Sequence, residues 1–147
     1  MKPRFAVMVA ALWWGSLTGL GFVVVPMLFA KLGSPAAAGA MAAQLFTAQT
    51  WLSMACSLLL LIILNPNRPQ ASGLIASSAI KWIVAGLLLT LLVEFGVSPR
   101  IVTARATGGD LRLWHGLGSA MYLGQWLCAG LVLWRLSCKP TERATNV

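Results

Sequence analysis

Two ionisable side chains within the long apolar stretches of this chain, Glu94 and His115, are the first candidates for chemistry. An acid or a histidine in a membrane segment is a functional candidate by default, because its transfer into hydrocarbon is costly. Together they could act as a general acid and base. The structural alternatives are a carboxylate near the membrane surface, hydrated or paired with Arg100, and an interfacial histidine beside Trp114. Lys81, next to a tryptophan, is typical of an interfacial anchor.

Three sets of polar side chains extend this candidate site. At 100° per residue, one set shares about 60° of a helix surface: His115, Ser119, Tyr122 and Trp126. A second set makes its stretch unusually polar: Gln44, Thr47, Thr50, Ser53 and Ser57. A third ridge carries Gly86, Thr90 and Glu94. We expect His115 and Ser119 to face the interior of a bundle, with Glu94 nearer the non-cytoplasmic surface. The predicted polar membrane site consists of His115, Ser119, Tyr122, Glu94, Gln44 and Thr47.

Sequence motifs of common enzymes and metal centres are absent. The chain has no GxSxG, no phosphate-binding loop, no HExxH motif, and only three acids, which lie far apart. Its single histidine excludes a bis-histidine haem, and a histidine–methionine haem would need His115 with Met27, Met41 or Met121. Cys56 and Cys128 suit Cu(I), but no two cysteines have ligand spacing, and methionine in a span is normally packing filler. We therefore expect no catalytic centre, no metal and no cofactor.

Four apolar stretches must position these residues. Of the 147 residues, 59% are apolar and 10% are charged, against about a quarter charged in soluble domains. This composition excludes a soluble enzyme, a disordered chain and a disulfide-stapled module. About 20 apolar residues cross a bilayer as a helix. The sequence predicts an all-α, four-helix transmembrane bundle in one domain, 1–147, with a short polar tail, 137–147. The spans lie at about 5–30, 45–64, 74–97 and 113–136.

Helix-capping patterns extend two of these helices beyond the lipid. Ser34 followed by proline is an N-cap pattern, so helix 2 is expected to begin at Pro35. A second Ser-Pro pair at residues 98–99 indicates that helix 3 continues to Thr107, where two glycines end it. Asp110 is expected to cap helix 4. A cleaved signal peptide is the alternative for the N-terminal stretch, but that stretch is too long and no small-x-small cleavage pattern follows it closely.

The basic residues predict the orientation of the bundle. With four spans both termini lie on one side, which carries seven basic residues: Lys2, Arg4, Arg68, Lys81, Arg135, Lys139 and Arg143. The other side carries four: Lys31, Arg100, Arg105 and Arg112. The positive-inside rule therefore predicts cytoplasmic termini, with helices 2 and 3 extended on the non-cytoplasmic face. The net charge of +8 is interpreted as a topology signal with attraction to anionic lipid, not as a nucleic-acid site.

Two ridges of small residues predict close helix contacts. Span 1 carries Ala11, Gly15 and Gly19 at four-residue spacing. Span 4 carries Gly116, Ala120, Gly124 and Cys128 at the same spacing. These ridges fit packing within one bundle, and the alternative is the seam of a dimer.

Short motifs along residues 10–136 give the chain a family resemblance. They are Trp14-Gly15, Phe29 ahead of Ser34-Pro35, Leu45-Phe46, Pro99-Arg100, His115-Gly116-Leu117-Gly118-Ser119 and Leu123-Gly124. With these motifs the chain resembles the bacterial branch of the transmembrane-protein-205-like family, small four-helix membrane proteins. Animal members have an acid directly before Pro-Arg, where this chain has Ser98, with Glu94 one turn earlier. The resemblance implies the fold and a bacterial inner-membrane location, and no reaction or substrate.

Three functions fit these observations. The first is a non-enzymatic bundle that supports a membrane-protein partner, forms a homo-oligomer or binds a lipid of the bilayer. The second is permeation or export of a small solute or metal ion by an oligomer. The third is a membrane redox or lipid-modifying enzyme that uses His115 and Glu94.

Overall fold

Four long helices make up the described part of the chain. The computed structural model describes residues 2–65 and 74–138. Helix α1 comprises Lys2–Thr18, a π-helical segment Gly19–Val24, and Val25–Lys31. Helix α2 is Pro35–Ile63. Helix α3 comprises Leu74–Leu91, a second π-helical segment Leu92–Val97, and Ser98–Thr107, and helix α4 is Leu111–Ser137.

Each helix is long and apolar enough to cross a membrane. The four candidate spans are Arg4–Lys31, Pro35–Ile63, Ser78–Thr107 and Leu111–Ser137. The predicted all-α, four-span membrane bundle is thereby confirmed. Most of the turn after helix 2 and most of the polar tail lie outside the described residues, as do three of the basic residues that predict the orientation: Arg68, Lys139 and Arg143.

The helix ends follow the capping patterns of the sequence. The backbone N–H of Ala37 donates to Ser34 Oγ at 3.4 Å, so α2 begins where predicted. The backbone N–H of Leu113 donates to Asp110 Oδ1 at 3.0 Å. Gly108 ends α3 with φ 74°, in the left-handed region that glycine adopts at least cost. The long extensions of α2 and α3 are both present.

The bundle has a closed half and an open half. In the closed half, α1 up to Thr18 packs against α2 and α4, and α3 up to Leu91 packs against the same two helices. Beyond the π-helical segments the partners change. Val25–Lys31 packs mainly against α2, and Ser98–Thr107 packs mainly against α4, so the open half consists of two helix pairs.

Large aromatic side chains fill hollows at glycines in the closed half. Trp13 is fully buried and lies against Gly86, where an added Cβ would be 2.7 Å from Trp13 Cη2. Trp14 lies against Gly130 in the same way, at 3.0 Å from Nε1. Close approach in this bundle therefore depends on glycines of α3 and α4 that face aromatic residues of α1.

The small-residue ridge of α1 is not one of these contacts. Gly15 is exposed, and a Cβ added at Gly15 or Gly19 would have no neighbour within 4 Å. The interpretation of this ridge as packing within one bundle is therefore wrong. The reason is geometric: Trp13 and Leu17 define the inward face of α1, and the ridge lies on the opposite face.

The ridge of α4 is divided between the two halves. Gly116 and Ala120 are exposed, whereas an added Cβ at Gly124 would lie 3.0 Å from Leu89 Cδ1. Cys128 is buried near Gly86. The prediction of close packing thus holds for Gly124 and Cys128 and is wrong for Gly116 and Ala120. The alternative of a dimer seam stays a prediction for the exposed parts of both ridges.

Candidate functional site

Hydrogen bonds between side chains link the four helices near their middles. Gln49 on α2 is buried, and its Nε2 donates to Ser16 Oγ on α1 at 3.0 Å and to Ser53 Oγ at 3.3 Å. Ser16 Oγ donates onward to the backbone carbonyl of Trp13 at 2.9 Å. Both amide protons of Gln49 are therefore used, and one of them joins α1 to α2.

Glu94 links α2 to α3. The Thr50 hydroxyl donates to Glu94 Oε2 at 3.2 Å, and the carboxylate is half-buried. Glu94 lies near the middle of Ser78–Thr107, within a π-helical segment, an irregularity that is frequent at functional sites. Arg100, the partner considered for this acid, instead lies over the ring of Trp114, 5.4 Å from its centroid. The hydrogen-bond partner of the Glu94 carboxylate is thus a neutral hydroxyl, that of Thr50, rather than a cation.

Thr90 and Gln125 link α3 to α4. Both residues are buried. Thr90 Oγ1 lies 2.8 Å from the carbonyl oxygen of Gly86 and 3.1 Å from Gln125 Oε1. The single hydroxyl proton is donated to one of these acceptors at a time.

Tyr122 and Trp126 link α4 back to α1. The Tyr122 hydroxyl donates to the carbonyl of Leu17 at 2.8 Å, and Trp126 Nε1 donates to Thr18 Oγ1 at 2.9 Å. Tyr122 also packs edge-to-face on Phe46 of α2, with ring centroids 5.2 Å apart. Hydrogen bonds thus join every neighbouring pair of helices. We call this set the polar belt: Ser16, Thr18, Gln49, Thr50, Ser53, Thr90, Glu94, Tyr122, Gln125 and Trp126.

Two of the six predicted site residues, Glu94 and Tyr122, belong to the polar belt. The other four are exposed: Gln44, Thr47, His115 and Ser119. The expectation that His115 and Ser119 face the interior is wrong. Both lie on the face of α4 that carries Tyr122 and Trp126, but two turns closer to the N-terminus of α4. At that level the end of α1 packs mainly against α2.

Two buried glutamines of the polar belt, Gln49 and Gln125, are not among the site residues predicted from the sequence. Glutamine amides are costly in hydrocarbon, so each was a signal in its own right. The spacing of Gln49 was a further signal, because Ser53 and Leu60 follow it on one buried ridge. The Gln49 side chain points inward, whereas Gln44, five residues earlier, is exposed on another face.

Two polar atoms in the interior lack a hydrogen-bond partner among the described residues, Trp13 Nε1 and Ser57 Oγ. The described residues contain no group of three or more His, Cys, Asp and Glu side chains that could hold a metal ion. The polar belt combines one carboxylate with neutral donors and acceptors. Such an arrangement can fix the helices relative to one another and can offer Glu94 as a single proton- or cation-binding group.

A match to a known protein family covers the first three helices of the chain. No curated protein and no solved structure matches the chain. Residues 8–110 match the family described as a domain of unknown function (DUF4149), and this range includes most of α1, all of α2 and all of α3. Because the match covers more than half of the chain, the protein belongs to the DUF4149 family of domains of unknown function.

Proposed function

We propose that the protein is a non-catalytic accessory bundle that binds a transmembrane helix of a partner along the outward ridge of α1. The observation that carries this proposal is the bare ridge of Ala11, Gly15 and Gly19. The proposal includes the finer identification as a transmembrane-protein-205-like protein of the bacterial inner membrane with cytoplasmic termini.

The physics of helix association in lipid supports the outward ridge as a contact surface. Burial of apolar surface gains little between helices in a bilayer, so close backbone approach at small residues stabilises the contact. Ala11, Gly15 and Gly19 repeat every four residues; Ala11 and Gly15 are exposed, and Gly19 is half-buried with no neighbour within 4 Å of an added Cβ. Exposed Met8 and Leu12 lie beside them and would border a docked helix.

The exposed polar residues of α2 supply a second kind of contact. Gln44 and Thr47 are exposed on a helix that belongs to the membrane spans. An amide or hydroxyl that faces lipid gains from a hydrogen bond across a helix interface. The polar belt, in contrast, is engaged in bonds within the bundle and leaves recognition to outward groups.

The test compares two glycines that both lack neighbours within 4 Å, Gly15 on the ridge and Gly96 on α3. The tagged protein is purified from its native membrane in mild detergent as wild type, Gly15→Leu and Gly96→Leu. We expect a second polypeptide in stoichiometric amount with the wild type and with Gly96→Leu, and its loss with Gly15→Leu. A monodisperse chain alone in all three preparations would overturn the proposal.

A homo-oligomer is the other outcome of this test. Co-expression of two differently tagged copies separates the cases, because a dimer seam would make each tag recover the other. Recovery of the second tag without any other polypeptide would replace the accessory role with self-association along the same ridge.

Glu94 favours a second candidate, oligomeric permeation of a small cation. The supporting observation is a half-buried carboxylate in the middle of a span, on a π-helical segment, with a hydroxyl as its partner. In reconstituted vesicles, Glu94→Gln should reduce cation or proton flux, with Asp110→Asn, a cap residue in a turn, as the control. Flux that is equal in wild type and Glu94→Gln would exclude this role of the acid.

A further inference from the structure

Helices α1 and α4 separate in the open half. They are in contact at Gly21, where an added Cβ would meet the Tyr122 ring, and at Phe22, whose ring lies 5.5 Å from that of Trp126. Beyond this point Val25–Lys31 packs mainly against α2 and has no buried residue. The face of α4 that lies before Tyr122 is therefore exposed rather than covered by α1, and we call the space between the two diverging helices the groove, with the Phe22–Trp126 contact as its floor.

The wall of the groove on α4 is built from two rows of side chains with seven-residue spacing. His115 lies two turns before Tyr122, and Ser119 lies two turns before Trp126 on the same face. A further two turns before Ser119 the same row reaches Arg112. Arg112, His115 and Ser119 are all exposed. Tyr122 and Trp126, later on the same face of α4, are covered by α1.

The mouth of the groove is cationic. Arg112 is exposed there, and Lys31, also exposed, ends the opposite helix. The acid closest in sequence, Asp110, is engaged in capping the backbone N–H of Leu113. His115 lies three residues after Arg112 on the surface of α4 and adds a ring nitrogen as a second hydrogen-bond donor. This end of the bundle therefore complements a negative group that accepts several hydrogen bonds, such as a phosphate.

The length of the groove fits one leaflet of a bilayer. From Trp126 to Arg112 is fourteen residues, or about 21 Å at 1.5 Å per residue. Half of a bilayer including its headgroups measures about 20–22 Å. With the floor near the bilayer midplane, Arg112 lies at the level of the phosphates.

We propose that this groove binds an anionic phospholipid. An acyl chain lies between α1 and α4 down to Phe22 and Trp126, and the phosphate contacts Arg112, His115 and Lys31. The inference goes beyond the accessory role proposed above and does not depend on it, because Gly15 lies in the closed half of the bundle whereas the groove lies in the open half. Its failure would leave that role unaffected.

The charge test compares two arginines of the same end of the bundle. Binding of phosphatidylglycerol and phosphatidylcholine to the delipidated protein is measured by titration and native mass spectrometry. We expect preferential retention of phosphatidylglycerol and about fivefold weaker binding with Arg112→Gln, the effect of one cation near a lipid surface. Arg100→Gln removes the same charge from a guanidinium that lies over Trp114, and should leave the affinity within twofold of wild type. Equal affinity for the two lipids would overturn the proposal.

The groove test compares two adjacent exposed residues on α4. Ser119→Phe places a ring in the groove, whereas Ala120→Phe places it about 100° away on the helix surface. We expect loss of the retained lipid with Ser119→Phe only. Equal loss or equal retention in the two variants would overturn the acyl-chain site. Glycerol 3-phosphate, which has the headgroup chemistry without acyl chains, should not displace the lipid, and displacement would assign the site to a soluble phosphate.

Discussion

The closed and open halves of the bundle are built from different residues. In the closed half the fully buried side chains include large ones, such as Trp13, Leu60, Ile83 and Val132. In the open half the buried residues of the helix extensions are small, namely Ala38, Ala42 and Ala104. Large side chains of the open half are exposed instead, such as Phe29 and Val102. Burial of large side chains is therefore concentrated in the closed half, whereas the helix extensions of the open half bury only small ones.

The two π-helical segments mark the boundary between the halves. Gly19–Val24 and Leu92–Val97 each come where a helix changes its packing partner. An extra residue per turn rotates the following part of the helix about its axis, so the inward face before the segment is not the inward face after it. The sequence periodicity of α1 and α3 is consequently interrupted at the place where the groove opens.

The largest expected effect contrasts a filled hollow with an open surface on α3. Gly86→Ala places a Cβ 2.7 Å from Trp13 Cη2 in the closed half. We expect it to lower the free energy of unfolding by about 1–3 kcal/mol, the usual cost of overpacking. The measurement is an unfolding titration in mixed micelles.

Gly96→Ala is the matched control on the same helix. No atom lies within 4 Å of a Cβ at this position, so the substitution should leave stability unchanged or raise it slightly. Equal losses at Gly86 and Gly96 would contradict the division into two halves and would indicate that Gly96 is packed in the membrane.

A smaller effect contrasts an inward with an outward glutamine on α2. Gln49→Leu removes two hydrogen bonds in the polar belt, and the average value in membrane proteins is about 0.6 kcal/mol per bond. We expect a loss of about 1 kcal/mol in the same titration. Gln44→Leu removes an exposed amide and should cost nothing in the isolated bundle. If Gln44→Leu destabilised the protein as much as Gln49→Leu, the assignment of the inward face of α2 would be wrong.

These two glutamines also explain what the sequence could and could not predict. The four spans and their caps depend on length, apolarity and local patterns such as Ser34-Pro35, so they were predictable. The inward face was not, because lipid-facing and interior residues of a membrane helix are both apolar and the usual contrast between faces is missing. Gln44 and Gln49 have the same chemistry, and about 140° of helix rotation separates an exposed amide from a buried one.

The site was predictable to the same limited extent. Glu94 and Tyr122 were identified by residue type and lie in the polar belt. His115 and Ser119 were assigned to the interior because they share a face with Tyr122. A shared face predicts a shared environment only while the neighbouring helix stays alongside, and α1 leaves α4 after Phe22. No periodicity on α4 itself carries information about that departure.

The smallest expected effect lies at the boundary itself, where two hydroxyls on α4 are three residues apart. Tyr122→Phe keeps the ring against Phe46 and removes only the bond to the Leu17 carbonyl, so stability should fall by about 0.6 kcal/mol. Ser119→Ala removes an exposed hydroxyl in the open half and should change nothing. The difference between the two variants, measured by unfolding titration, locates the last contact between α1 and α4. If Ser119→Ala cost as much as Tyr122→Phe, α1 would still cover Ser119 in the membrane, and the groove would be closed.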